Sequence, residues 1–120
     1  MKILIADDEP HIVTALEFLL LGRGYEVEVA RNGTEALARI REARPDLVLL
    51  DVMMPERSGY DVCREIRSLP GLARTKVVML SAKGSRADIG KGIEAGADLY
   101  ISKPFSNREL LDKIAQLLAS

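Results

Sequence analysis

The sequence is short of the residues that mark several chemistries. Its 120 residues contain one cysteine, one histidine and no tryptophan. A single cysteine, Cys63, cannot close an internal disulfide, and its place beside Val62 and Ile66 predicts packing in the core or at its edge. This favours a reducing compartment and a domain that needs no covalent staple. His11 stands alone on what helical spacing predicts to be an exposed face, so no His/Cys cluster offers itself to zinc. Charge of one sign is also missing: 17 basic and 18 acidic residues leave a formal net charge of −1. That balance gives no whole-chain electrostatic footprint for nucleic acid or a membrane surface. No apolar run approaches the roughly 18 residues of a membrane span. The apolar start is too short for a signal-peptide core and runs into acids, so a cytoplasmic protein is expected. No GxxxxGK or GxGxxG follows that start, which argues against a nucleotide-binding loop. Repeats, linkers and low-complexity tracts are absent.

What is present is an alternation. At 48% hydrophobic residues, a chain of 120 can form one domain with its own core. Strands are predicted at residues 2–6, 26–30, 46–51, 76–80 and 99–102. Three of them (KILIA, DLVLLD, KVVML) are near-continuous apolar runs, as expected of parallel strands covered on both faces. The second, EVEVA, alternates strictly and predicts a half-exposed edge strand. Between them the apolar spacing turns helical: Ile12, Leu16, Leu19 and Leu20; Val62, Ile66 and Leu69; Ile89 and Ile93; Leu110, Ile114, Leu117 and Leu118. Pro10 suits a first helical turn, and Asn32…Glu35, Ser58…Asp61 and Ser106…Glu109 resemble capping boxes. Gly22, Gly24 and the Arg44-Pro45 step fit helix ends. Gly90 and Gly92 weaken the fourth helix by about 1 kcal/mol each against Ala, leaving it either mobile or held by packing. Five strands alternating with five helices predict a doubly wound α/β fold, whose ligands collect at the C-terminal edge of the sheet.

The strand ends carry the chemistry. Asp7 and Asp8 follow strand one, Asp51 ends strand three, Ser81 ends strand four, and Lys103 follows strand five. Two carboxylates about 5 Å apart repel by roughly 3 kcal/mol at an effective dielectric of about 20, so the acids need cations. All-oxygen donors point to Mg²⁺ or Mn²⁺. A carboxylate, a lysine and such an ion suit phosphoryl transfer with an aspartyl-phosphate product. Glu9, by contrast, reads with Pro10 as the start of a helix, where acids compensate the dipole.

In this order and at these spacings, "LIADDE", "NGTEAL", "PDLVLLDVMMP", "SGYDV", "VVMLSA" and "EAGADLYISKPF" resemble a response-regulator receiver domain of two-component signalling, over essentially residues 1–120. The resemblance implies a flavodoxin-like sheet in order 2-1-3-4-5. It implies Asp51 as phosphoacceptor, Asp8, Asp51 and the Met53 carbonyl as direct Mg²⁺ ligands, and Asp7 beside them. Lys103 and Ser81 would contact the phosphoryl group, Tyr100 would be the aromatic switch, and the bond at the Lys103–Pro104 position is commonly cis in the family. Met53 and Lys83 would flank the route of attacking water and tune the lifetime. The implied partners are a sensor histidine kinase or phosphotransfer protein and an output reached through the α4–β5–α5 face, about residues 86–119. No nucleic acid or membrane is expected to touch this domain directly. A dimer on phosphorylation would use that same face, with Lys91 and Lys113 among its charges and Leu99 and Ala115 where many relatives carry an acid and a base. Met1 reads as a natural start and Ser120 falls where a receiver domain would end, in a stand-alone regulator or in part of a longer one. Two other classes stay open: a phosphohydrolase using Asp51, although Met53 stands where a second acid would be wanted, and a binding module that is never phosphorylated.

Overall fold

The computed structural model describes residues 1–120, in which strands and helices alternate throughout. The order is β1 (Lys2–Ala6), α1 (Pro10–Gly22), β2 (Glu26–Ala30), α2 (Gly33–Ala43), β3 (Leu47–Asp51), α3 (Gly59–Ser68), β4 (Lys76–Ser81), α4 (Arg86–Glu94), β5 (Leu99–Ser102) and α5 (Asn107–Ala119). The strands form one parallel sheet in the order β2-β1-β3-β4-β5. This is the predicted topology. β4 runs one residue further than expected because Ser81 pairs with Ser102.

Both faces of the sheet are covered, which explains the unbroken apolar runs. Leu4, Ala6, Val48, Leu50, Val77 and Met79 face a core built with α2 and α3. Their neighbours Ile3, Ile5, Leu47, Leu49, Val78 and Leu80 face α1 and α5. Each buried aliphatic side chain contributes about 1.5–3 kcal/mol of transfer free energy. β2 lies at the edge and is only partly covered, as its alternation requires. Cys63 is fully buried and His11 exposed. In α1 the innermost residues are Val13, Leu16 and Leu20, with Ile12 and Leu19 on the flanks, so the buried stripe is turned slightly from the predicted one.

The predicted caps form. The side chains of Asn32, Ser58 and Ser106 accept from the amides of Glu35, Asp61 and Glu109 at 2.8, 3.2 and 3.3 Å. Ser85 does the same for Asp88 at 3.1 Å and starts α4, a fourth cap beyond the three predicted. In α4 only Gly92 is buried. A Cβ there would lie 2.7 Å from Tyr100 Cδ2 and 3.0 Å from Met79 Sδ. Gly92 is therefore needed for close packing against β5, whereas nothing lies within 4 Å of a Cβ at Gly90. Packing, the second of the two expectations, accounts for one of the glycines. No helix is long and apolar enough to cross a membrane.

Candidate functional site

Parallel pairing brings the polar ends of four strands to one edge. The Asp7 amide still donates to Ala30 O at 3.1 Å, which holds the acids at the end of β1. Asp51 is the last residue of β3, and the chain then turns sharply. Val52 N donates to Leu80 O at 3.2 Å and Gly59 N to Val52 O at 2.9 Å, closing the β3–α3 loop over the site. Gly59 is obligatory in that closure, because a Cβ there would sit 2.5 Å from Asp51 O. The Lys103 amide donates to Ser81 O at 2.7 Å, which fixes the start of the β5–α5 connection, and the Lys103–Pro104 bond is cis.

Carboxylate oxygens of Asp7, Asp8 and Asp51 lie within 4.8 Å of one another. Asp7 and Asp51 are buried and Asp8 is exposed. Asp7 uses both oxygens: Oδ1 accepts from Glu9 N at 2.9 Å and Oδ2 from Lys103 Nζ at 3.2 Å. Asp51 Oδ1 accepts from Met53 N at 3.2 Å and lies 3.7 Å from Lys103 Nζ. Asp51 Oδ2 accepts from no protein donor, yet no buried side-chain oxygen lacks a partner, so this oxygen reaches solvent. Burial, and then the Asp7 charge, push the Asp51 carboxyl up to about 7, against the opposing pull of Lys103 and the Met53 amide. One lysine therefore does not neutralise the cluster. Crowded carboxylates with oxygen donors alone fit a hard divalent cation such as Mg²⁺.

Lys103 is the shared cation. Its side chain is 12% exposed. Burial works against its charge, but Glu9, Asp51 and Asp7 outweigh that and raise its pKa above the usual lysine value. Its shortest contact is to Glu9 Oε1 at 3.0 Å. Glu9 occupies the N-cap of α1, the helix start its place before Pro10 predicts, but its side chain caps nothing. A signal was available: Glu is not among the residues whose side chains suit an N-cap.

Ser81 and Tyr100 meet through one residue. Ser81 is fully buried, and its Oγ accepts from Lys83 N at 3.0 Å. Tyr100 is half-buried, and its hydroxyl donates to Lys83 O at 2.5 Å. The backbone of Lys83 thus bridges the two, while its side chain is exposed, as is that of Met53. Tyr60, which the sequence reading did not single out, ties α3 to α4. Its hydroxyl donates to Asp88 O at 3.2 Å, and the Lys91 ammonium stands 5.2 Å above its ring. Lys91, one of the charges expected at a dimer face, is thereby turned toward α3.

Residues 3–115 match the family described as the response regulator receiver domain. The DNA-binding response regulator MtrA of Mycolicibacterium smegmatis is 43% identical over 113 residues, which are 94% of this chain and 48% of that protein. The chain thus spans about half the length of the curated relatives it matches. Among solved structures, a CheY-like receiver domain protein from Methanospirillum hungatei superposes with a TM-score of 0.92 at 34% identity, covering 98% of this chain and 93% of that one. A Francisella response regulator receiver domain gives 0.91 at 32% identity, covering 98% and 96%. A family match running nearly end to end over the same topology leaves one conclusion: the chain belongs to the response regulator receiver domains of two-component signalling.

Proposed function

We propose that this chain is a phosphorylation-dependent switch in which residues 1–120 act as one receiver domain and Asp51 accepts the phosphoryl group. The observation that carries the reading is Asp51 itself, with one oxygen open to solvent, two acids within 4.8 Å and a lysine ammonium 3.7 Å from the other oxygen. The donor is a phosphohistidine on a sensor histidine kinase or phosphotransfer protein. An Asp51 oxygen bonds to phosphorus as the phosphorus–nitrogen bond breaks, and the electron pair leaves on the imidazole. Asp8, Asp51 and the Met53 carbonyl would hold Mg²⁺ or Mn²⁺, with Asp7 beside them. When bound, the ion supplies positive charge to the phosphoryl oxygens.

The chain's own groups do the rest. Lys103 turns toward the new dianion. Ser81 Oγ accepts from Lys83 N in the resting state, so its hydroxyl proton remains to donate to a phosphoryl oxygen. A shift of Ser81 is passed through Lys83 to the Tyr100 hydroxyl and biases that ring inward. The face of α4, β5 and α5 then changes its affinity for an output, by shifting the balance of two states. The MtrA relative is DNA-binding and about twice as long, which supports an output of that kind; a dimer on phosphorylation would use the same face. Met53 and Lys83 flank the approach of water and set the lifetime.

The test is intact mass after incubation with Mg²⁺ and acetyl phosphate. One phosphoryl adduct is expected, absent without the ion and absent in Asp51→Asn. Turnover of many phosphomonoesters would make the protein a phosphohydrolase instead. No adduct would leave a binding module.

A further inference from the structure

Lys103 is held less by the phosphoacceptor than by an acid outside the cluster. Glu9 Oε1 is 3.0 Å from Nζ, Asp7 Oδ2 3.2 Å and Asp51 Oδ1 3.7 Å. Glu9 is 57% exposed and is not among the acids whose oxygens converge. It occupies the N-cap of α1, yet its side chain accepts from none of the helix amides, so the carboxylate is free to pair with Lys103. It shares with Lys103 the wall of a cleft formed by Ile12, Ala15, Pro104 and Phe105.

We propose that Glu9 is a positioning residue that holds Lys103 off Asp51 in the resting protein and slows phosphoryl transfer from small donors. The proposal rests on Asp51 being the phosphoacceptor. To follow a developing phosphoryl group the ammonium must leave Glu9, so the Glu9 contact stabilises the resting state more than the transition state. The same carboxylate repels an incoming dianion, and both effects have one sign. In the transfer from acetyl phosphate, an Asp51 oxygen bonds to phosphorus while the bond from phosphorus to the acetyl oxygen breaks. The electron pair leaves with acetate, and no proton moves.

Glu9→Gln keeps the length of the side chain and removes its charge. Glu9→Asp keeps the charge and shortens the reach. An exposed ion pair of this kind corresponds to roughly a two- to fivefold rate effect. Both variants are expected to be phosphorylated faster than the native protein at saturating Mg²⁺. In the metal-free proteins, the NMR resonance of the Lys103 side-chain ammonium, assigned through Lys103→Arg, is expected to shift in both variants and to exchange faster with water. A native rate in Glu9→Asp would reduce Glu9 to a bulk charge and overturn the positioning role. An unchanged or slower rate in Glu9→Gln, or an unmoved Lys103 resonance, would overturn it outright. If the native protein itself takes no phosphoryl group, the receiver reading fails first, and this proposal falls with it.

Discussion

Burial and the Asp7 charge raise the Asp51 pKa from 3.8 to about 7, and this has a consequence for stability as well as reactivity. Between those values the native chain holds a proton that the unfolded chain has lost. Stability from this group is therefore fully present below about pH 4 and is lost as pH rises through 7. In EDTA, urea unfolding of the native protein is expected to show stability falling from pH 5 to pH 8. Asp51→Asn should lack that fall and exceed the native protein at pH 8 by roughly 2–4 kcal/mol. A native-like pH profile in the variant would sink this. At the same scale, Met53 is 56% exposed, two residues from Asp51, the proposed phosphoacceptor. Replacing it with Asn should open the approach of water and shorten the phosphorylated lifetime about fivefold, a barrier change of about 1 kcal/mol. Decay of the intact-mass adduct measures this, and equal or slower decay in the variant rejects it.

Between elements, a polar tie with four acceptors lies remote from the acids. The Arg67 guanidinium on α3 donates to Gly96 O at 2.9 Å, Thr75 O at 2.6 Å and Ala73 O at 3.3 Å, and pairs with Asp98 Oδ2 at 2.9 Å. Asp98 in turn accepts from Val77 N at 2.8 Å. One side chain thus joins α3 to the turns before β4 and β5, at Gly96, whose φ of +107° an L side chain rarely adopts. Arg67→Ala leaves these carbonyls and Asp98 without their donor and should cost about 2–4 kcal/mol of stability in urea titrations. Arg67→Lys should recover less than half of it, since a single ammonium cannot span the planar fork's acceptors. A loss below about 0.5 kcal/mol would mean that water replaces the guanidinium. The motif around "GAD" therefore has a structural reason of its own: Gly96 turns the chain and Asp98 anchors it.

For the molecule as a whole, the acid cluster is a point of weakness that a cation bound there would relieve. An ion that binds only the folded chain stabilises it by about 2.7 kcal/mol at a hundredfold excess over its dissociation constant. Mg²⁺ should raise the melting temperature of the native protein by roughly 10 °C, and much less that of Asp8→Asn. Equal shifts in both proteins would place the ion elsewhere.

What could be read before the fold was known is what local pattern encodes. Period-2 and period-3.6 spacing marked the strands and helices, because burial of one or two faces imposes those periods on neighbouring residues. The polar residues at the strand ends were legible as a site because parallel strands must deliver their C-terminal ends to one edge. Contacts between residues far apart in the chain carry no such local mark. Glu9 and Lys103 are 94 positions apart, and only the stacking of β1, β3, β4 and β5 decides that this acid, and not Asp51, lies nearest the ammonium. By helix propensity Gly92 is a weak point, yet Tyr100 packs where its Cβ would stand, and a missing Cβ has meaning only beside the atoms that would collide with it. The sequence alone determined the alternation of elements, the class of the site and the charge problem within it. The tertiary structure decided how the single lysine is shared among its acids, because that depends on distances of a few ångströms between elements, which no spacing along the chain encodes.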